Sequence, residues 1–160
     1  MKPILIAGIG NVLRGDDGFG PLAVQTLAAR HNFGPEIEIA DLGTPGLELA
    51  GFLSCRRAVL LIDCICAEEP AGTTRIFNRE DILAQQVPAR SGSHEPSIAE
   101  ALFALQLAGC APAIVTLIGV AGHSFKFGDA MSDALLRAVD PTMELACDWL
   151  AQLKDTLPLN

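Results

Sequence analysis

The chain has 160 residues, half of them hydrophobic, and sets 11 Lys and Arg against 19 Asp and Glu for a net charge of −8. That length fits one domain over residues 1–160, large enough to bury a full core without disulfide or metal staples. The acidic balance, with no cluster of Lys or Arg, excludes a nucleic-acid partner, because phosphate neutralisation needs a basic face.

Residues 4–7 form a continuous apolar run ending at Gly8 and predict a buried strand. Pro21 suits a first helical turn, and Leu22, Val24, Leu27 and Ala28 follow as an apolar stripe. Residues 36–41 alternate with period two and predict a half-covered edge strand. After the turn Gly43-Thr44-Pro45-Gly46, Leu47, Leu49 and Phe52 predict a short helix. Residues 58–62 are the most apolar run and predict a central strand; residues 73–77 predict a shorter one. Ser97 and Glu100 match a capping box before a helical face of Ile98, Leu102 and Leu105. Residues 114–120 predict another buried strand. Asp140-Pro141 is expected to open a last helix carrying Leu145, Trp149 and Leu153 on one stripe.

Apolar strands separated by helices imply a mostly parallel sheet covered on both faces, an α/β three-layer α/β/α sandwich. Residues 101–122 carry no charge, but Gln106, Gly109, Pro112, Gly119 and Gly122 punctuate them. They read as a helix followed by a core strand, not as a membrane span. The N-terminus has no apolar run of signal-peptide length. Cys55, Cys64, Cys66, Cys110 and Cys147 are odd in number, form no CxxC pair and mostly sit in apolar runs. They are expected to be buried reduced thiols of a cytoplasmic protein; a Cys-based metal site is the alternative.

In such a sheet the functional crevice lies beyond the carboxyl ends of the strands. The first strand ends in Gly8-Ile9-Gly10-Asn11, then Gly15-Asp16-Asp17-Gly18. Leu13 stands where a dinucleotide fingerprint needs its third glycine, so nicotinamide or flavin binding is not expected. The loop offers instead two adjacent carboxylates among glycines, either a solvated acidic turn or part of a site. Asp63 closes the central strand, Asp41 closes the edge strand, and His94 stands just before a helix. A helix N-terminus favours neutral imidazole, the form that binds metals. Two carboxylates and an imidazole from separate loops make a plausible open site for a divalent ion such as nickel, zinc or manganese. His31, at a helix end, reads as solvated; His123 borders the crevice and reads as structural.

These motifs together resemble the [NiFe]-hydrogenase maturation endopeptidases. The resemblance rests on Gly8-Ile9-Gly10-Asn11, Gly15-Asp16-Asp17-Gly18, Asp41-Leu42-Gly43-Thr44-Pro45-Gly46, Ile62-Asp63, His94 and Thr116-Leu117-Ile118-Gly119-Val120, in that order over nearly the whole chain. It implies a phosphorylase-like, hydrolase-bearing fold with a five-stranded sheet of order 2-1-3-5-4, strand 4 antiparallel. It also implies an endopeptidase that removes the C-terminal extension of a hydrogenase large-subunit precursor after nickel insertion. The nickel would come with the substrate, and the protein would act as a monomer. Asp17, Asp63 and His94 match the family's metal-contacting triad, and Asp16 and Asp41 match acidic positions nearby, where either could serve as general base. The chain departs from the pattern at Glu95-Pro96, where many members carry Gln and a small residue. It departs again at Gly122-His123-Ser124-Phe125-Lys126, which lacks an acidic residue many members have. No Gly-x-Ser-x-Gly elbow and no His-Glu-x-x-His occurs, so serine-protease and zincin chemistry are not expected. The rivals to this reading are a nickel-checking chaperone without cleavage and a hydrolase holding its own metal.

Overall fold

A computed structural model of the chain describes residues 2–88 and 97–156, with side chains up to Leu153. Among the described residues are five strands and five α-helices. They run β1 (Ile4–Gly8), α1 (Phe19–Arg30), β2 (Ile37–Asp41), α2 (Leu49–Leu53), β3 (Ala58–Ile65), β4 (Thr74–Asn78), α3 (Arg79–Leu83), α4 (Ile98–Leu107), β5 (Ile114–Ala121) and α5 (Asp133–Thr156). The sheet order is β2-β1-β3-β5-β4, with β4 antiparallel to β5 and every other pair parallel. This is the order the resemblance implies.

Side chains of a strand point alternately to the two faces of a sheet, and here each face has its own core. Ile4, Ile6, Leu60, Ile62, Cys64, Ile118 and Val120 pack with α1 and α5. Leu5, Ala7, Val59, Leu61, Ile65 and Leu117 pack with α2 and α4. Burial on both faces explains why β1 and β3 read as continuous apolar runs. Each fully buried Leu or Ile contributes about 1.5–3 kcal/mol. The charge-free run of residues 101–122 divides between α4 and β5, and among the described residues no helix is long and apolar enough to cross a membrane.

Three expectations need correction. The central strand does not stop at Ile62. Pairing with β5 continues through Asp63↔Gly119, Cys64↔Val120 and Ile65↔Ala121, so Asp63 stands inside the strand. The last helix opens at Asp133, not at Pro141, which lies within it. A proline inside a helix costs about 3 kcal/mol. The stripe of Leu135, Ala138, Val139, Met143, Ala146, Leu150 and Leu153 offsets that by packing onto the core. Of the five thiols only Cys64 is buried; Cys55 and Cys66 are exposed, because both stand just outside the ends of β3. The short α3 carries its own capping box, Asn78 with Asp81, which the sequence reading passed over.

Candidate active site

The loops beyond the carboxyl ends of β1, β2, β3 and β5 are tied together by main-chain bonds. Ile9 N–H donates to the Ile62 carbonyl (2.9 Å), Gly10 N–H to Gly43 (2.8 Å), Gly122 N–H to Ile65 (3.0 Å) and Asp16 N–H to Ser124 (2.7 Å). The glycines of the first motif make this closeness possible. Gly10 adopts φ +142°, and a Cβ there would collide with the Asp17 carbonyl. Gly20, in the first turn of α1, lies against the carbonyls of Ile9 and Ile62, leaving no room for a side chain. Helix α1 and the 3-10 turn Gly15–Gly18 before it therefore press directly onto the ends of β1 and β3.

That contact buries three carboxylates: Asp16 (0% exposed), Asp17 (5%) and Asp63 (0%). Buried carboxylates are rare unless paired or used. Asp16 is fully engaged. Its Oδ2 accepts the amides of His123 (2.9 Å) and Ser124 (3.0 Å), and its Oδ1 accepts that of Ser132 (2.8 Å). Burial pushes its pKa up, but the amides of Ser132, His123 and Ser124 more than offset this and hold the carboxyl below its ordinary value. A carboxylate already holding three amides suits an anchor for residues 122–132. Ser132 also accepts the Leu135 and Leu136 amides, so Asp16 fixes the start of α5.

Asp17 Oδ2 accepts the Asn11 amide (3.1 Å), and Asp63 Oδ1 accepts the Cys64 amide (2.9 Å). Burial first, then the charges of Asp63, Asp16 and Asp17, push the Cys64 thiol far up; burial, Asp17 and Asp63 also raise Cys66. Both thiols stay protonated at neutral pH, so neither is a ready nucleophile. The turn Gly15–Gly18, which carries Asp17, packs against β3, which carries Asp63.

Asp41 does not join them. Register aligns Asp41 with Gly8 and Gly8 with Ile62, so Asp63 lies one residue further along and faces the other way. Asp41 is exposed on the α1 face, where its Oδ2 accepts from Gln25 Nε2 (3.0 Å) and its Oδ1 accepts the Gly43 amide (2.9 Å). Asp63 follows Leu61 and precedes Ile65 on the α2–α4 face. Helix α4 begins on that face, its Ser97 cap bonded to the Glu100 amide (3.1 Å) with Glu100 bonded back (2.7 Å). His94, three residues earlier, lies outside the described residues, as do Glu95 and Pro96. Among the described residues no three His, Cys, Asp or Glu side chains are grouped to hold a metal ion, which leaves the Cys-based site without support. His123 is exposed, and its Nε2–H donates to the Glu69 carbonyl (2.9 Å), a structural part. His31 is exposed and stacks on Phe33.

A cleft of about 540 Å³ opens beyond β3, lined by Cys66, Ala67, Glu68, Glu69, Arg75 and Pro88. Elsewhere, the segments after β1, β2 and β5 expose Val12, Leu13, Leu47 and Phe127, with the Gly128 amide bonded to the Leu13 carbonyl (2.8 Å). Their exposure was not legible in the sequence, since single apolar residues within polar loops carry no periodic signal.

Known proteins match this arrangement. The family profile described as hydrogenase maturation protease matches residues 21–149. The chain is 32% identical to the hydrogenase expression/formation protein HoxM of Cupriavidus necator over 92% of this chain and 73% of that one. It is 28% identical to the hydrogenase 2 maturation protease of Escherichia coli over 88% and 86%. The structure of the hydrogenase maturating endopeptidase HybD from E. coli superposes with a TM-score of 0.84 at 29% identity, covering 98% of this chain and 94% of the other. A hydrogenase 2 maturation peptidase from a Thaumarchaeota archaeon gives 0.71 at 30% identity, covering 94% and 99%. A matched profile across most of the chain, with the sheet order and the glycine-framed carboxylates in place, makes this chain a member of the hydrogenase maturation protease family, an endopeptidase.

Proposed function

We propose that this endopeptidase removes the C-terminal extension of a [NiFe]-hydrogenase large-subunit precursor after nickel insertion, and that Asp17, Asp63 and His94 receive the nickel the precursor carries. The observation that supports this reading is the burial of both Asp17 and Asp63 where the turn Gly15–Gly18 packs against β3; His94 stands three positions before the cap of α4 in the sequence. Two carboxylates and an imidazole are a donor set suited to a divalent first-row ion, with positions left for the substrate's own ligands.

Asp17 and Asp63 then act by position. Holding the precursor's metal sets the scissile bond at a fixed distance from the crevice, which converts encounter into orientation. A divalent ion polarises a carbonyl or acidifies a water that it touches. Asp16 holds residues 122–132 in place around the crevice, and Asp41 lies on the opposite face of the sheet, so neither is the proton acceptor of this mechanism. The test is to incubate nickel-loaded and nickel-free precursor with the protein and follow the precursor's mass. Only the loaded form loses its extension, and Asp17→Asn, Asp63→Asn and His94→Ala each slow the loss by at least about 100-fold. Cleavage unchanged in all three variants refutes the site.

A further inference from the structure

At the opposite edge of the sheet, Cys55 stands in the turn after α2 and Cys110 in the turn after α4. Their sulfurs are 2.8 Å apart, and the Cys55 amide donates to the Cys110 carbonyl (2.8 Å). A disulfide needs about 2.05 Å between sulfurs, so a small side-chain adjustment joins them. Cys55 is exposed and Cys110 half-buried, which leaves the pair open to small molecules. Cys55 adopts φ +55°, a conformation costly for a residue with a side chain, and the bonded turn holds it there.

The five thiols differ in readiness. The hydrogen bond between Cys55 and Cys110 lowers the Cys55 thiol, with a smaller contribution from Ser54. Burial first of all raises Cys64, Cys66 and Cys147. The thiolate is the attacking form in thiol–disulfide exchange, so the one favoured attacker has a second thiol already in contact with it.

We propose that Cys55 and Cys110 form a redox modification site that takes a small-molecule disulfide and closes reversibly into an intramolecular bridge. Cys55 thiolate attacks one sulfur of the reagent, forming a mixed disulfide and releasing one thiolate. Cys110 then attacks the Cys55 sulfur and releases the second. Two protein thiols are oxidised, one small disulfide is reduced to two thiols, and the two protons lost by the cysteines end on those thiols. The bridge ties the end of α2 to the end of α4 across 55 positions of sequence, which restricts the unfolded chain far more than the folded one.

The experiment is to equilibrate the protein with graded ratios of oxidised to reduced glutathione, alkylate the remaining thiols and map the peptides by mass. The expected result is a direct Cys55–Cys110 link, with Cys64, Cys66 and Cys147 still alkylated. The oxidised form melts higher by on the order of 5–10 °C, and dithiothreitol reverses the shift. Cys110→Ser leaves glutathione on Cys55 and abolishes the shift; Cys55→Ser forms no bridge. Alkylation of both Cys55 and Cys110 at every ratio overturns the proposal. So does glutathione persisting on Cys55 in the unsubstituted protein.

Discussion

At the amino edge of the sheet, Arg56 is 6% exposed; its Nη1 donates to Glu38 Oε2 and to the Lys2 carbonyl (both 2.6 Å), and its Nε to the Phe52 carbonyl (3.2 Å). At the carboxyl edge the buried charges are Asp16, Asp17 and Asp63, all of one sign, around the end of β3. The amino edge matches its buried charge with the partly exposed countercharge of Glu38, an arrangement that serves the fold. The carboxyl edge buries three carboxylates, with Arg14 close enough to act on the same Cys66 thiol, and such clusters are typical of sites that bind or react. Within that edge Asp16 resembles Arg56 more than it resembles Asp17, since its carboxylate is matched by three amides.

The contrast can be broken by substitution. Gly20→Val forces a side chain against the Ile9 and Ile62 carbonyls. It separates α1 from the strands and costs more than about 4 kcal/mol, read as loss of a cooperative urea transition. Asp16→Asn deprives residues 122–132 of a charged acceptor and costs about 2–4 kcal/mol, read from the same transition. Its pH dependence has a definite sign. The folded-state pKa lies below the ordinary 3.8, so the stabilisation is complete above that value and is lost as pH falls through the folded pKa. Acid titration of stability is therefore shallower below about pH 4 in Asp16→Asn. Arg56→Met costs about 2 kcal/mol and leaves cleavage unchanged, as an edge that serves only the fold requires. Ser97→Ala removes the cap of α4 and costs about 1 kcal/mol, seen as a small drop in Tm.

Much of the fold was legible in local patterns. The apolar runs at 4–7 and 58–62 gave β1 and β3, and Ser97 with Glu100 gave the start of α4 within one residue. Asp16, Asp17, Asp41 and Asp63 stood out because they follow or close apolar strands. Which face each would take was not legible. Asp41 and Asp63 both close apolar runs, but β3 continues past Asp63, and pairing register sends the two to opposite faces. The first turns of α5 were missed for a related reason. Pro141 looked like a helix start, while the actual start is fixed by the amide of Ser132 reaching Asp16, 116 positions away.

By itself, the sequence determined the order of the strands and of the longer helices, that the sheet is buried on both faces and that acidic residues stand near strand ends, because these follow from periodicity, caps and turn chemistry within a few residues. Only the tertiary structure decided which carboxylate anchors a loop, which face of the sheet Asp41 and Asp63 take and which two thiols touch. Those outcomes depend on register and on the close seating of α1 over β1 and β3, where groups far apart in the chain compete for the same hydrogen bonds and the same space.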